Sequence, residues 1–347
     1  CFSDKKEGEN KYDSMEEFIK QRDGVKVKPA ERQKSGKTEA PAPKPKPQRT
    51  KEEKPRPKPE PKMEESSGSP EIDYKKPTSI VKAVQPYVVG QEKAINSLAE
   101  AVCDHYQRLS LPESERTKVK NTHILMMGPT GSGKTYIAQT VSEILGVPLV
   151  IYGLAGKTAQ GYVGENIYNA FNSLIEKAGA VDKAERGIVF FDEFDKIAQK
   201  DINQRDIRGE DLQNELLKIL EGESVSTAYG DMDTSNILYI CGGAFDGLTE
   251  IVNNRTTERK VGFGADHSKE SLNQHESLQK VSSEDLLAYG FKKELIGRLP
   301  DTVVLNQLDQ DQLVQIMTSA KDSYVRGKQL LFDKSYGIEL TFDDSAY

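Results

Sequence analysis

One stretch constrains this chain more than any other: Gly128-Pro129-Thr130-Gly131-Ser132-Gly133-Lys134-Thr135, directly after the apolar run Ile124–Met127. Its spacing, G-x-x-x-x-G-K-T, is that of the phosphate-binding (Walker A) loop. Glycines let the backbone curl so that its N–H groups point inward at a polyphosphate. The Lys134 ammonium has the reach for the β- and γ-phosphates, and the Thr135 hydroxyl suits Mg²⁺. The short apolar run before the loop reads as a buried parallel strand. After it, Ile137, Val141, Ile144 and Leu145 recur at helical spacing until Gly146 supplies a stop. A Gly-rich surface turn explains neither the Lys-Thr pair nor the flanking elements.

The rest of the chain is uneven. Hydrophobic residues make up 36% of the 347, and the deficit sits mainly in the first seventy-odd positions. Eleven of the sixteen prolines fall between Pro29 and Pro77, interleaved with Lys, Arg and Glu. Such a tract favours extended conformers and cannot bury enough surface to fold, so residues 1–76 read as a disordered linker. Within it, 13–21 could form one short amphipathic helix. The net charge of −7 argues against a dedicated nucleic-acid binder. Three cysteines far apart, Cys1, Cys103 and Cys241, support neither a disulfide framework nor a zinc quartet, and suit a reducing cytoplasm. Cys103 and His105 share a helical stripe, where packing is the expected role. No signal peptide or transmembrane-length apolar run is visible. A chain that starts at Cys1 rather than Met is expected to be a fragment or a processed form.

From Pro77 the pattern becomes regular. Apolar runs at 149–152, 188–191, 236–240 and 302–305 follow the first, most of them separated by helical stretches such as 211–220. Strand alternating with helix predicts an α/β fold, a parallel sheet flanked by helices, over 77–305. From Asp309 the pattern turns helical, as the start of an incomplete small α domain over 306–347.

A second informative stretch is Gly187-Ile188-Val189-Phe190-Phe191-Asp192-Glu193, a buried strand delivering two carboxylates at its C-terminal end, where open α/β sheets bind ligands. Asp192 is the expected Mg²⁺ ligand beside Thr135, and Glu193 the group that polarises the attacking water. Arg298, far along the chain in Glu294-Leu-Ile-Gly-Arg-Leu-Pro300, has two readings. One is an arginine supplied in trans to a neighbour's phosphate; the other is a surface residue paired with Glu294.

With these motifs stand Gly161-Tyr162-Val163-Gly164-Glu165, Cys241-Gly-Gly-Ala-Phe245 and Ile296-Gly-Arg-Leu-Pro300. Together, in this order, they resemble the ClpX family of AAA+ P-loop ATPases, from about Pro77 onward. The related HslU carries a long insertion between its Gly-Tyr-Val-Gly loop and the second carboxylate strand; here Tyr162 and Asp192 are thirty residues apart. The resemblance implies ATP and Mg²⁺ as cofactors, a homo-hexamer, and ATP hydrolysis coupled to unfolding and translocation of unfolded or tagged proteins, fed to a ClpP-type peptidase in the cytoplasm. Residue by residue it implies Tyr162 and Val163 in a pore loop, a second pore segment over 198–209, Val88 and Val89 flanking adenine, and Arg298 acting in trans. It also implies that Val261, Gly262 and Phe263 dock on the peptidase. Composition alone makes Tyr162 a loop or core aromatic, and makes the apolar tripeptide a loop anchored on its own domain.

The sequence departs from the family at 223–232, a short loop without the usual basic cluster. It departs again in a slightly shorter second pore segment, and in ending before the position of the family's sensor-2 arginine. Cys1 could be the last cysteine of an upstream zinc module. A remodeller working without a peptidase, a motor on DNA and a catalytically silent ring subunit are the alternatives from other classes. The first makes Val261, Gly262 and Phe263 dispensable, the second lacks a basic element, and the third is disfavoured by Lys134, Glu193 and Arg298.

Overall fold

The computed structural model describes residues 25–29, 73, 75–155, 166–198, 207–258 and 274–343. They fall in two compact units, Ile72–Ser323 and a second formed by Cys1–Glu71 with Tyr324–Tyr347.

The larger unit is a five-stranded parallel sheet. Four of its strands are β2 (Ile124–Met127), β3 (Leu149–Gly153), β4 (Ile188–Asp192) and β7 (Leu238–Gly243), and β8 (Asp301–Val304) completes it, in the order β3-β4-β7-β2-β8. These are the five expected runs, displaced by at most a few residues at their ends. The fourth along the chain, β7, starts later than the apolar pattern suggests because Asp233 caps a 3₁₀ turn over Thr234–Asn236, accepting from Ser235 N–H. Alternation sorts the strand residues onto two faces. Leu125, Met127, Val189, Phe191, Tyr239 and Cys241 join one core; Ile124, Met126, Ile188, Phe190, Leu238 and Ile240 join the other. A parallel sheet buried on both sides needs apolar residues at every position, which is why its runs do not alternate with polar ones.

Helices cover both faces. On one lie α1 (Pro77–Val84), α2 (Glu92–Leu109) and α3 (Lys134–Leu145), packing through Ile80, Val84, Leu98, Val102, Ile137 and Val141. On the other lie α4 (Asn169–Ala178), α5 (Ile207–Glu221) and α6 (Leu248–Glu258), through Phe171, Leu174, Leu212, Leu216 and Leu248. α7 (Ser283–Tyr289) follows, opened by a capping box between Ser282 and Asp285 and bound to α6 by the Arg255–Asp285 ion pair at 2.7 Å. Cys103 and His105 are buried in α2, the packing role expected. The short loop expected at 223–232 is a hairpin of β5 (Ser224–Thr227) and β6 (Gly230–Asp233). Helix α8 (Gln310–Thr318) belongs to this unit as well, and the boundary between the two units falls after Ser323.

The second unit contains two strands that the sequence reading did not expect. Inside the stretch read as a disordered linker, β1 (Val25–Pro29) pairs antiparallel with β9 (Ile338–Phe342), Val27 opposite Leu340. The reason is local: Val-Lys-Val-Lys alternates before the proline-dense tract begins, so it reads as a strand despite its surroundings. The C-terminal stretch read as helical contains α9 (Tyr324–Tyr336), but after Gly337 turns the chain at φ 63° the alternating Ile338, Leu340 and Phe342 extend as β9. The helix expected at 13–21 lies outside the described residues.

Gly242 is required at the sheet's centre, because a Cβ there would collide with the Phe190 ring. Gly242→Ala should therefore lower the unfolding free energy by about 1–3 kcal/mol in a denaturant melt. Adding Phe190→Leu should give a combined loss smaller than the sum of the two single losses. Strict additivity would contradict this packing.

Candidate active site

The chain reverses direction across the sheet beside β2, which pairs with β7 and β8 while its own continuation leaves for the far edge at β3. A crevice opens at such a point, at the C-terminal ends of the strands. The phosphate loop fills it. Gly128 N–H donates to Gly243 O (3.3 Å) and Leu305 N–H to Met127 O (2.8 Å), so both neighbouring strands hold the loop's root. A side chain at Gly128 would meet Leu305 Cβ at 2.9 Å, so this glycine permits the close approach. Gly133 caps α3 with φ 93°, a left-handed conformation that aims the first N–H groups of the helix at the crevice.

The cleft has a volume of about 440 Å³ and is lined by Thr130, Lys134, Thr135, Asp192, Glu193 and Asp195 among others. β7 ends in Gly242 and Gly243, so no side chain stands between the phosphate loop and the end of β4. Lys134 is buried, with Nζ donating to Gly128 O (2.7 Å) and Pro129 O (2.9 Å). Burial lowers its pKa, and Asp192, Asp195 and Asp246 oppose that shift. Thr135 Oγ1 donates to Asp192 Oδ2 across the cleft at 3.3 Å. The structure thus brings together Gly128, Pro129, Thr130, Gly131, Ser132, Gly133, Lys134, Thr135, Asp192 and Glu193.

Glu193 adopts φ 55°, a left-handed conformation uncommon outside glycine, with its N–H donating to Asp192 Oδ1 at 2.8 Å. Its carboxylate is exposed in the cleft while Phe194 turns into the core. Strained backbone of this kind concentrates at functional sites.

Other expected residues lie elsewhere. Val88 is buried in the core with α2, and Val89 is half-buried; neither lines this cleft. Arg298 sits at the opposite end of the sheet. Its carbonyl accepts from His123 N–H (3.1 Å), just before β2 begins, whereas the phosphate loop starts where β2 ends. Four residues of strand put roughly 13 Å between those ends. The guanidinium pairs with Glu221, not with Glu294. Tyr162, Val163, Val261, Gly262 and Phe263 lie outside the described residues.

A family model for the AAA domain (Cdc48 subfamily) matches residues 119–302. Three relatives are each named ATP-dependent Clp protease ATP-binding subunit ClpX. That of Treponema denticola is 41% identical, over 78% of this chain and 69% of its own length. Those of Bacteroides thetaiotaomicron and Bacteroides fragilis are 38% and 37% identical, over 78% and 82% of this chain and 69% and 73% of theirs. The chain belongs to the ClpX family. It is a nucleotide-binding AAA+ ATPase, as its loop, its carboxylate strand and its flanked parallel sheet require. No helix among the described residues is long and apolar enough to cross a membrane.

Several residues of this ClpX-family site escape a motif reading. The buried amide of Gln91 donates to Ser132 O (3.3 Å) and Asn306 O (2.9 Å) and accepts from Asn306 N–H (2.8 Å), tying the loop to the chain after β8. Its only signal in the sequence is a polar residue where α2 begins its apolar stripe. Buried Asp195, with Lys196 Nζ 2.9 Å away, and Asp246 complete the acidic wall of the cleft. Asp195 follows Glu193 by two residues, and its burial is what a linear reading misses.

Two buried histidines brace the opposite end. His123 Nδ1 accepts from Tyr239 N–H (3.4 Å), which leaves the proton on Nε2, and that nitrogen donates to Leu220 O (2.9 Å). His105 Nε2 meets Asn236 O at 3.2 Å. Burial is the first cause in both cases, pushing His105 from 6.5 to about 3 and His123 from 6.5 to about 4. Below pH 6.5 the unfolded chain takes up these protons while the fold refuses them. Stability is therefore full above that pH and falls as pH drops toward 4, by up to about 1.4 kcal/mol per pH unit for each histidine. Urea melts between pH 7 and 4.5 should show this decline, with a shallower slope for His123→Gln. A flat profile would contradict the burial of both rings as neutral groups.

Proposed function

We propose that this chain is an ATP-driven protein unfoldase and translocase that works as a homo-hexameric ring and delivers its substrates to a ClpP-type peptidase. The observation that carries the reading is the separation of Arg298 from the phosphate loop of its own chain. A cation set at the far end of β2 cannot reach its own γ-phosphate, but a neighbour in a ring brings one to it. The printed names of the relatives, subunits of a Clp protease, supply the peptidase as partner.

In this reading the backbone N–H groups of the loop and Lys134 bind the phosphates of ATP, Lys134 exchanging its loop carbonyls for phosphate oxygens. The side chains of Val88 and Val89 flank the adenine. Thr135 and Asp192, already within 3.3 Å, are the protein groups that hold Mg²⁺. Among the described residues no three His, Cys, Asp or Glu side chains group to bind a metal alone, which suits an ion completed by nucleotide and water. Held there by Thr135 and Asp192, Mg²⁺ would supply positive charge to offset that of the nucleotide's phosphates. Glu193, at the cleft's exposed edge, orients the attacking water and accepts its proton, and Arg298 of the adjacent subunit neutralises the developing phosphoryl charge.

The mechanical parts are Tyr162 and Val163, an aromatic-aliphatic grip between glycines that can engage any polypeptide, and Val261, Gly262 and Phe263, which dock on the peptidase. By function the ATPase domain is assigned to 77–305 and the beginning of a small domain to 306–347, a division that differs from the compact units, whose boundary follows Ser323. Cytoplasmic work on unfolded or tagged proteins, with neither nucleic acid nor membrane as partner, follows from the same reading.

Glu193→Gln should abolish ATP turnover and leave nucleotide affinity within about twofold, since it removes the base and not the phosphate cradle. Retained turnover would remove its assigned role. A paired experiment tests the mechanics. Tyr162→Ala should keep ATPase activity while stopping unfolding of a tagged substrate. Deleting Val261, Gly262 and Phe263 should keep unfolding while stopping peptidase-coupled degradation. Unfolding at full rate in the first variant, or degradation at full rate in the second, would contradict the corresponding assignment.

A further inference from the structure

Arg298 does not hang free at its end of the sheet. Its Nη2 donates to Glu221 Oε1, and three further contacts fix the ground on which this pair stands. His123 contributes two of them, its N–H donating to Arg298 O and its imidazole Nε2 to Leu220 O, the carbonyl next to Glu221. One buried residue thus sets the spacing between the segment carrying the guanidinium and the segment carrying the carboxylate. The ring itself is locked, with Tyr239 N–H on Nδ1 and the Tyr239 ring edge-on at 5.0 Å. Lys120 Nζ supplies the third contact, donating to Gly297 O at 2.9 Å.

Glu221 is equally well placed by its own backbone. It is the last residue of α5, and Gly222 follows at φ 93° with its N–H bonded to Lys218 O and Ile219 O. Any side chain at 222 would strike Ser235. The carboxylate therefore leaves a fixed helix end, while Arg298 remains partly exposed.

We propose that Glu221 is a positioning residue for the arginine that acts in trans, holding the Arg298 guanidinium extended at the subunit seam. The proposal rests on the reading of Arg298 given above. A guanidinium has five donors and stays charged at any working pH, so one carboxylate on Nη2 leaves donors for a phosphoryl oxygen. A long side chain otherwise samples many rotamers, and each turnover would have to await the productive one. The Glu221 contact selects that rotamer beforehand. Glu294, also on the surface nearby in sequence, does not do so in this structure.

The test uses the full-length protein, with Glu221→Gln, Glu221→Asp, Arg298→Ala and the Glu221→Gln/Arg298→Ala double variant. Steady-state ATP turnover, binding of a fluorescent ADP analogue and assembly by light scattering are measured for each. Glu221→Gln should lower kcat about tenfold while KM and ADP-analogue affinity stay within about twofold and assembly is unchanged. Glu221→Asp should recover part of the loss, and the double variant should be no slower than Arg298→Ala alone. Three results would overturn the proposal: normal turnover in Glu221→Gln beside a dead Arg298→Ala, a loss in Glu221→Gln that traces to disassembly or weaker nucleotide affinity, or additive losses in the double variant. Undiminished turnover in Arg298→Ala would instead strike the trans-arginine reading itself, and the role of Glu221 with it.

Discussion

Burying the Lys134 ammonium is the act on which the rest of this structure depends. A cation taken out of water is costly unless polar groups replace its hydration. Here two carbonyls of the phosphate loop accept from it directly, and Asp192, Asp195 and Asp246 add favourable charge from across the cleft. Those partners exist only because three separate parts of the chain converge. The loop is rooted between β7 and β8, the carboxylates ride on the end of β4 and the turns after β4 and β7, and the glycines ending β7 keep the space between them clear. Removing any one of these supports would leave the charge less well compensated, so the sheet order and the site are one design.

The two ends of β2 divide the chemistry. At its exit the backbone is curled and glycine-rich, shaped around a polyanion. At its entry a buried neutral histidine joins β2 to β7 and α5, and an arginine emerges toward solvent. A four-residue strand is short, yet it is rigid, and a rigid spacer between a binding half-site and a complementary cation has a simple consequence. In the function proposed above, two copies meet head to tail so that the halves combine, and such a contact, where its rotation closes, gives a ring. On that proposal hydrolysis depends on assembly without any separate switch.

Much of this was legible in the residues alone. The five sheet strands, the phosphate loop and the Asp192-Glu193 pair announce themselves through continuous apolar runs and fixed spacing, signals that act over a few residues. What stayed hidden involves partners distant in sequence. Gln91 meets Asn306 and Arg298 meets Glu221, pairings that no window along the chain contains. Glu294, the neighbour that sequence proximity offered for Arg298, was the wrong carboxylate: the guanidinium pairs with Glu221 at the end of α5 instead. β1 and β9 were missed for a different reason. Their alternation is regular but brief, and one lies beside a proline-rich tract while the other follows a helix, so the surrounding composition outweighed the local period.

The turn that carries Val88 and Val89 shows how such distant contacts combine. Gln91 fixes its end to Ser132 in the phosphate loop, and Asn306 fixes it to the chain leaving β8. At the turn's beginning, Lys321 N–H donates to Pro86 O, and Lys321 Nζ donates to the Tyr87 hydroxyl at 2.7 Å. Gly90, between them, has φ 72° and lies so close to the Gln312 side chain that a Cβ would overlap it. Six residues are therefore held from the loop on one side and from the segment just before Ser323 on the other. A segment tied at both ends cannot move at one without straining the other, because packed and hydrogen-bonded elements shift as units. The same hydrogen bonds thus tie the phosphate loop to the turn that follows the last helix of its unit, and the coupling needs no residue beyond those already holding the fold together.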